Sequence, residues 1–257
     1  MSDNSQLSYR SQLYERYLTT TYDPGSNLND KLLQYKADQY ARYFGPYLPE
    51  NRNAKIFEIG CGPGAFLRCC QQLGYQELRA IDLSPELVQF CHDRGFTQVE
   101  CTDVLSYLHQ CDEQFDIVVM SDVLEHLSKS EALETLSLVR DRLVPGGRAI
   151  VRVPNMSNPF NIRTFFGDFT HELPLTKDSL RQILQVTGYE ILDIKGEFSL
   201  HQRRLKQWFY DRLLWNAFHI FLKEVMHFEV DVVRGKNLIA VGVNPSNNTR
   251  SNADEHQ

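Results

Sequence analysis

From about residue 55 onward the apolar positions of this chain alternate between two spacings. Short apolar runs are followed by stretches in which apolar residues recur every three or four positions, the patterns of buried strands and one-sided helices. Lys55 to Ile59, Leu78 to Leu83, Thr97 to Cys101, Phe115 to Met120 and Arg148 to Val153 read as strands. The fourth of these is apolar on both faces, as a central parallel strand should be. Between them, Phe66, Cys69, Cys70 and Leu73 form one helical face that Gly74 ends. Ser84-Pro85 starts another helix, with Ser as N-cap and Pro at the first position, and Gly95 closes it. Ser128 with Glu131 predicts a capping box. The helix it opens carries a buried stripe of Ala132, Leu133, Leu136, Val139 and Leu143, and Pro145-Gly146-Gly147 then turns the chain.

The flanks are less regular. Residues 1–30 are polar and Tyr-rich; Leu33, Ala37, Tyr40 and Phe44 then fall at helical spacing until Gly45-Pro46. Residues 155–175 read as an irregular loop. Thr176 caps a helix with Leu180, Ile183 and Leu184 inward and Gly188 at its end. Tyr189 to Lys195 and Asn237 to Val243 read as two last strands, around an aromatic-rich helical insert at 200–228. The expected organisation is an N-terminal helical cap (1–50), a main domain (51–244) with a lid loop at 155–175, and a polar, disordered tail (245–257). Strands alternating with helices predict an α/β fold with a parallel, doubly wound sheet. Such sheets bind ligands beyond the carboxyl ends of their strands, so functional residues should follow the strands.

Composition narrows the function classes. The chain has 257 residues, 42% hydrophobic and 23% charged, with 27 Lys plus Arg against 33 Asp plus Glu. A net charge of -6 argues against a nucleic-acid binder, whose phosphate affinity needs a cationic surface. No C-x-x-C pair occurs among the six cysteines, and most sit in apolar stretches as small buried residues. Met1 to Ser11 is polar and lacks the apolar core of a secretory signal, so a reducing, cytoplasmic setting is the expectation. Leu213 to Leu222, the longest mostly apolar stretch, is about half the roughly twenty residues a spanning helix needs.

Chemistry concentrates behind the first strand, in Glu58-Ile59-Gly60-Cys61-Gly62-Pro63-Gly64-Ala65. Three glycines at alternate positions let a ligand approach the backbone, and the following helix offers unpaired amides. Gly60, Gly62 and Ala65 also fit a relaxed dinucleotide fingerprint. The carboxylates separate the two readings. Glu58 would repel a diphosphate but attract a cationic amino-acid group. Asp82 ends the second strand, where it can accept both ribose hydroxyls. Asp103 follows the third strand, placed to accept from an adenine amine. Together they describe a nucleoside carrying an ammonium or sulfonium group.

In these segments the chain resembles class I S-adenosylmethionine-dependent methyltransferases. Glu58-x-Gly60-x-Gly62-x-Gly64 resembles the family's first motif, Asp82-Leu83 its ribose-binding acid and neighbour, and Asp103-Val104 its adenine-binding pair. Phe115-Asp116-Ile117-Val118 through Ser121-Asp122-Val123-Leu124-Glu125-His126-Leu127 resembles the fourth strand and its loop. Leu143-Val144-Pro145-Gly146-Gly147 resembles the turn before the fifth. The resemblance covers roughly residues 50 to 195. It implies a Rossmann-like sheet of seven strands, six parallel and one antiparallel, with Asn237 to Val243 as the antiparallel one. It also implies S-adenosylmethionine as cofactor, held by Glu58, Gly60, Cys61, Gly62, Gly64, Asp82, Leu83, Asp103, Val104 and Ser121.

An alcohol acceptor must lose a proton, so a general base is expected within hydrogen-bond reach. His126 after the fourth strand and His171 in the long loop are the candidate catalytic residues. The bland alternatives are that His126 packs at the next helix start and that His171 is lid surface. Asp122, Glu125 and His126 raise a metal question, because ubiquinone-biosynthesis O-methyltransferases have a similar segment and some use a divalent ion; the expectation is no metal. Val153-Pro154-Asn155, Gly167-Asp168-Phe169-Thr170-His171-Glu172, Thr176 and Ser179-Leu180 resemble bacterial methyltransferases of surface-polysaccharide and glycan clusters. That likeness implies O-methylation of a small-molecule acceptor, a sugar or glycan precursor. The competing readings are a quinone or phenol O-methyltransferase, a nicotinamide-dependent oxidoreductase, and an inert cofactor-binding subunit. No Tyr-x-x-x-Lys pair occurs, which removes the commonest short-chain oxidoreductase pattern. The insert reads as a lid, with a homodimer face or membrane-surface helix as other uses; Lys206, Arg212 and Lys223 are few for anionic lipid.

Overall fold

The computed structural model describes residues 9–21, 28–158, 161–197, 212–214, 216–218, 220–225 and 235–245. Seven strands form one sheet in the order β3-β2-β1-β4-β5-β7-β6. They are β1 (Ile56–Ile59), β2 (Leu78–Asp82), β3 (Val99–Cys101), β4 (Phe115–Ser121), β5 (Leu143–Pro154), β6 (Glu190–Glu197) and β7 (Asn237–Val243). The pairs β1–β2, β1–β4, β2–β3 and β4–β5 are parallel, whereas β7 runs antiparallel to both β5 and β6. Six strands therefore share one direction. The chain order reverses between β1 and β4, and that switch point opens a crevice at the carboxyl ends.

Alternation along the strands divides the core between the two faces of the sheet. Ile56, Ile117, Val119 and Ile150 join one cluster, with Ala37, Phe66, Cys70 and Val88. These come from α3 (Asp30–Tyr43), α4 (Ala65–Gln72) and α5 (Pro85–His92). Phe57, Val118, Met120 and Val151 join the other, with Leu108, Leu136, Val139 and Leu180. These come from α6 (Val104–Gln110), α7 (Lys129–Arg142) and α9 (Lys177–Val186). Before them lie α1 (Tyr9–Tyr14) and α2 (Tyr17–Thr21), and α8 (Ile162–Phe166) interrupts the long loop.

The capping signals are realised locally. Ser84 accepts from the amide of Leu87, and Ser128 and Glu131 make both bonds of a capping box. Thr176 and Ser179 make another. Asp116 starts β4 and accepts from the amide of Lys55. Four of the cysteines are buried, while Cys101 is exposed and Cys111 half-buried.

Three expectations change. Leu133 does not belong to the buried stripe of α7; it is 37% exposed. Leu143 is buried but is the first residue of β5 rather than part of the helix. Strand β5 thus begins ahead of the Pro145-Gly147 turn, because Asn244 at the end of β7 closes on it: the Gly146 amide donates to Asn244 and the Asn244 amide to Gly147. In the insert, 212–214, 216–218 and 220 are helical, and Leu213, Leu214, Ile220 and Phe221 are exposed. The rest of the insert and the tail from 246 lie outside the described residues. No helix among the described residues is long and apolar enough to cross a membrane.

Leu136 is fully buried, so Leu136→Ala should destabilise the fold by about 3 kcal/mol in urea unfolding. The neighbouring Leu133→Ala should cost under about 1 kcal/mol. Equal costs would mean that the stripe read from spacing is the real one.

Candidate active site

The carboxyl ends of β1 through β5 converge on a cavity of about 640 Å³, within the range of small-molecule sites. Its floor is the loop after β1. Gly60 and Gly62 have φ of +69° and +52°, and a Cβ at Gly60 would lie 2.5 Å from Val123 Cγ2. Only glycine allows both that backbone and that contact. Gly60, Cys61 and Gly62 line the cavity, as do Leu83, Val104 and Ser121.

Asp82 sits at the cavity wall, 7% exposed. Its Oδ2 accepts from the Gly62 amide at 2.8 Å and its Oδ1 from the Ser84 amide at 2.9 Å. Burial raises its pKa, and these amides pull it back down. Asp103 also lines the cavity, but it is the N-cap of α6: its Oδ1 accepts from the amides of Leu105 and Ser106. Tyr40 and Ser121 hydroxyls pair at 3.0 Å, and Arg152 binds Asp122 and Glu197.

Two residues read from the first motif do not line the cavity. Strand alternation turns Glu58 to the face covered by α4 and α5, where it is 2% exposed and its Oε2 lacks a hydrogen bond among the described residues. Burial pushes its carboxyl well above the usual carboxylate range. Gly64 is the N-cap of α4 and backs onto Cys91 and Phe96.

At the other end of the cavity the two histidines meet, with ring centroids 4.6 Å apart. Backbone bonds tie their loops together: the amides of Glu172 and Leu173 donate to the carbonyl of Glu125 at 2.7 and 3.0 Å. The hydroxyl of Thr170 donates to Asp168 Oδ1 at 2.6 Å. Its oxygen therefore accepts from His126 Nδ1, 2.8 Å away, and His126 Nε2 keeps its lone pair. His171 Nδ1 lies 2.7 Å from the carbonyl of Phe165, which can only accept, so His171 Nε2 is likewise unprotonated in the neutral ring. Glu125, beside His126, is 1% exposed, and burial drives its carboxyl well above the usual range.

The N-terminal helices form part of the wall, a contribution that the sequence showed only as Tyr-richness. Tyr14 and Tyr17 stack at 5.0 Å and meet His126 edge-on, and Tyr17 donates to Asp168 at 2.7 Å. Arg10 bridges Glu131 and Glu172 and reaches the cavity. Lys36 lines it too, and burial lowers its pKa. No local pattern could have shown that residues 10–17 cross to a loop more than 150 positions away.

This architecture matches that of known proteins. The chain matches the methyltransferase domain family over residues 29–194, more than half its length, and belongs to it. No curated protein matches the chain significantly. A SAM-dependent methyltransferase from Archaeoglobus fulgidus superposes with a TM-score of 0.63 at 21% identity, covering 82% of this chain and 94% of that one. Magnesium protoporphyrin IX methyltransferase from Synechocystis PCC 6803 gives 0.58 at 15% identity, covering 93% and 99%. N-methyltransferase NodS from Bradyrhizobium japonicum WM9 gives 0.58 at 17%, covering 93% and 100%. The chain is a class I S-adenosylmethionine-dependent methyltransferase, and its cofactor is S-adenosylmethionine.

Burial, followed by the neighbouring His171, lowers the His126 pKa from about 6.5 to about 4. A depressed histidine pKa contributes stability that is full above the unfolded value and is lost as pH falls towards the folded one. Lowering the pH from 7 to 5 should therefore cost about 2 kcal/mol through this residue. In urea melts at the two pH values, His126→Asn should lose less stability than the parent. An identical loss in both would show that His126 is not held neutral.

Proposed function

We propose that this methyltransferase acts on a hydroxyl of a small-molecule acceptor, a sugar or glycan precursor. The observation that carries the proposal is the imidazole pair. His126, oriented through Thr170 and Asp168, and His171, oriented by Phe165, present unprotonated nitrogens in the cavity that holds the glycine loop and Asp82.

The cofactor fits the residues present. Each oxygen of Asp82 accepts one amide and retains a second lone pair for a ribose hydroxyl. Asp103 Oδ2, opposite the capping oxygen, is assigned to the adenine amine, with Leu83 and Val104 against the base. The loop Gly60-Cys61-Gly62 and Ser121 border the methionine part. Glu58 and Gly64 shape that loop from behind rather than touching the ligand.

S-adenosylmethionine supplies an electrophilic methyl group on its sulfonium. The chain's task is to align a nucleophile with it and exclude water, and such positioning can contribute about 7–11 kcal/mol to lowering a barrier. An imidazole lone pair takes the acceptor's hydroxyl proton, an effect worth about 10²–10⁴-fold. The stacked Tyr14 and Tyr17 beside Arg10 and Asp168 offer an apolar ring face flanked by polar groups, which suits a sugar. In this reading α1 and α2 act as the cap of the site, and the loop carrying His171 as its lid.

Titration calorimetry with S-adenosylhomocysteine should show binding that Asp82→Ala and Gly62→Arg each abolish; NADH should not bind. Wild-type affinity in both variants would displace the cofactor site. His126→Ala and His171→Ala should lower turnover at least tenfold with cofactor affinity within about threefold. Labelled cofactor offered nucleotide sugars and a quinone precursor should label the sugars. Transfer to the quinone precursor alone would overturn the acceptor assignment.

A further inference from the structure

The loops that carry the two histidines also deliver a third donor. Glu125 is 1% exposed, and among the described residues neither of its carboxylate oxygens accepts a hydrogen bond. A carboxylate buried without donors is costly unless a cation offsets it. One oxygen of Glu125 and one ring nitrogen from each of His126 and His171 lie within 4.8 Å of one another. Two of the cationic side chains that line the cavity have anionic partners: Arg152 binds Asp122 and Glu197, and Arg10 binds Glu131 and Glu172.

We propose that Glu125, His126 and His171 bind a divalent first-row transition-metal ion. Two imidazoles and one carboxylate suit zinc, iron(II) or manganese(II), whereas magnesium prefers an all-oxygen shell. Metal-bound imidazoles almost always donate their other nitrogen to the protein, and both rings here do so, to Thr170 and to the Phe165 carbonyl. Bonds of about 2.0–2.2 Å place tetrahedral ligand atoms about 3.5 Å apart, so the three need to close by an ångström or so, within the reach of side-chain rotation. The backbone is already tied, since Glu172 and Leu173 donate to the Glu125 carbonyl. Asp122, which the sequence places beside these residues, is outside the set because it faces Arg152. Three protein ligands leave coordination positions open to the cavity, where oxygens of the acceptor can bind. With the ion in place the imidazole lone pairs are engaged as ligands, so the base role given above is that of the metal-free chain, and in the metal-bound chain the acceptor hydroxyl is held by coordination instead. That role rests on the methyltransferase reading; ion binding itself does not.

The test uses the full chain, stripped with a chelator. CoCl₂ is titrated by visible absorption and ZnCl₂ by calorimetry, with S-adenosylhomocysteine affinity measured on the same samples. One equivalent of metal should bind, with visible cobalt bands. Glu125→Gln and His171→Ala should each weaken it at least tenfold, with circular dichroism and S-adenosylhomocysteine affinity unchanged. If Glu125→Gln fails to fold, His171→Ala on the surface loop carries the comparison. Absence of stoichiometric uptake, or uptake of equal affinity in both variants, overturns the site. S-adenosylhomocysteine binding without metal uptake refutes this proposal and leaves the methyltransferase reading standing; metal uptake without S-adenosylhomocysteine binding does the reverse.

Discussion

The cavity depends on one buried carboxylate joining two strand ends. Asp82, last residue of β2, accepts the amide of Gly62 from the loop after β1 and the amide of Ser84 at the start of α5. Those bonds offset its desolvation and hold the glycine loop against the neighbouring strand. The loop in turn needs positive φ at Gly60 and Gly62, and Gly60 leaves room for Val123 after β4. Three strand ends are thereby brought to one small space, with backbone amides and a carboxylate at its edge. The switch in strand order between β1 and β4 puts that space where parallel sheets open.

From that anchor the cavity divides by its electrostatics. Around Asp82 the charge is satisfied by amides. Around His126 and Glu125 burial dominates, so the imidazole is driven towards its neutral form and the carboxyl towards its protonated form. Both shifts disfavour a bare charge, and both leave groups ready to respond to a proton or a cation. The chain Asp168, Thr170, His126 sets the tautomer, while Tyr17 holds Asp168 from the N-terminal side. The wall that covers this end is thus built from a segment that precedes the family match and a loop near the end of it.

Much of this was legible in local pattern. The Ser84, Ser128 and Thr176 caps form as read because a cap involves only residues within one turn. The strand positions survive because a buried strand needs only a short apolar run. The exceptions have specific causes. Glu58 follows the motif spacing, yet the two-residue period of β1 turns it away from the cavity. Asp103 stands at the right place, but one of its oxygens caps α6. Leu133 shares helical spacing with Leu136, but the sheet covers a narrower stripe of α7 than the apolar residues offer.

The sequence by itself determined the order of strands and helices, the glycine loop and the acids that follow the strands, because each depends on contacts within a few residues. The tertiary structure alone decided that His171 would meet His126, that Glu125 would be buried without a donor, and that Arg10, Tyr14 and Tyr17 would cross to the same cavity. Those meetings join segments from about 45 to more than 150 residues apart, and only the packing of the whole sheet sets the distances between them.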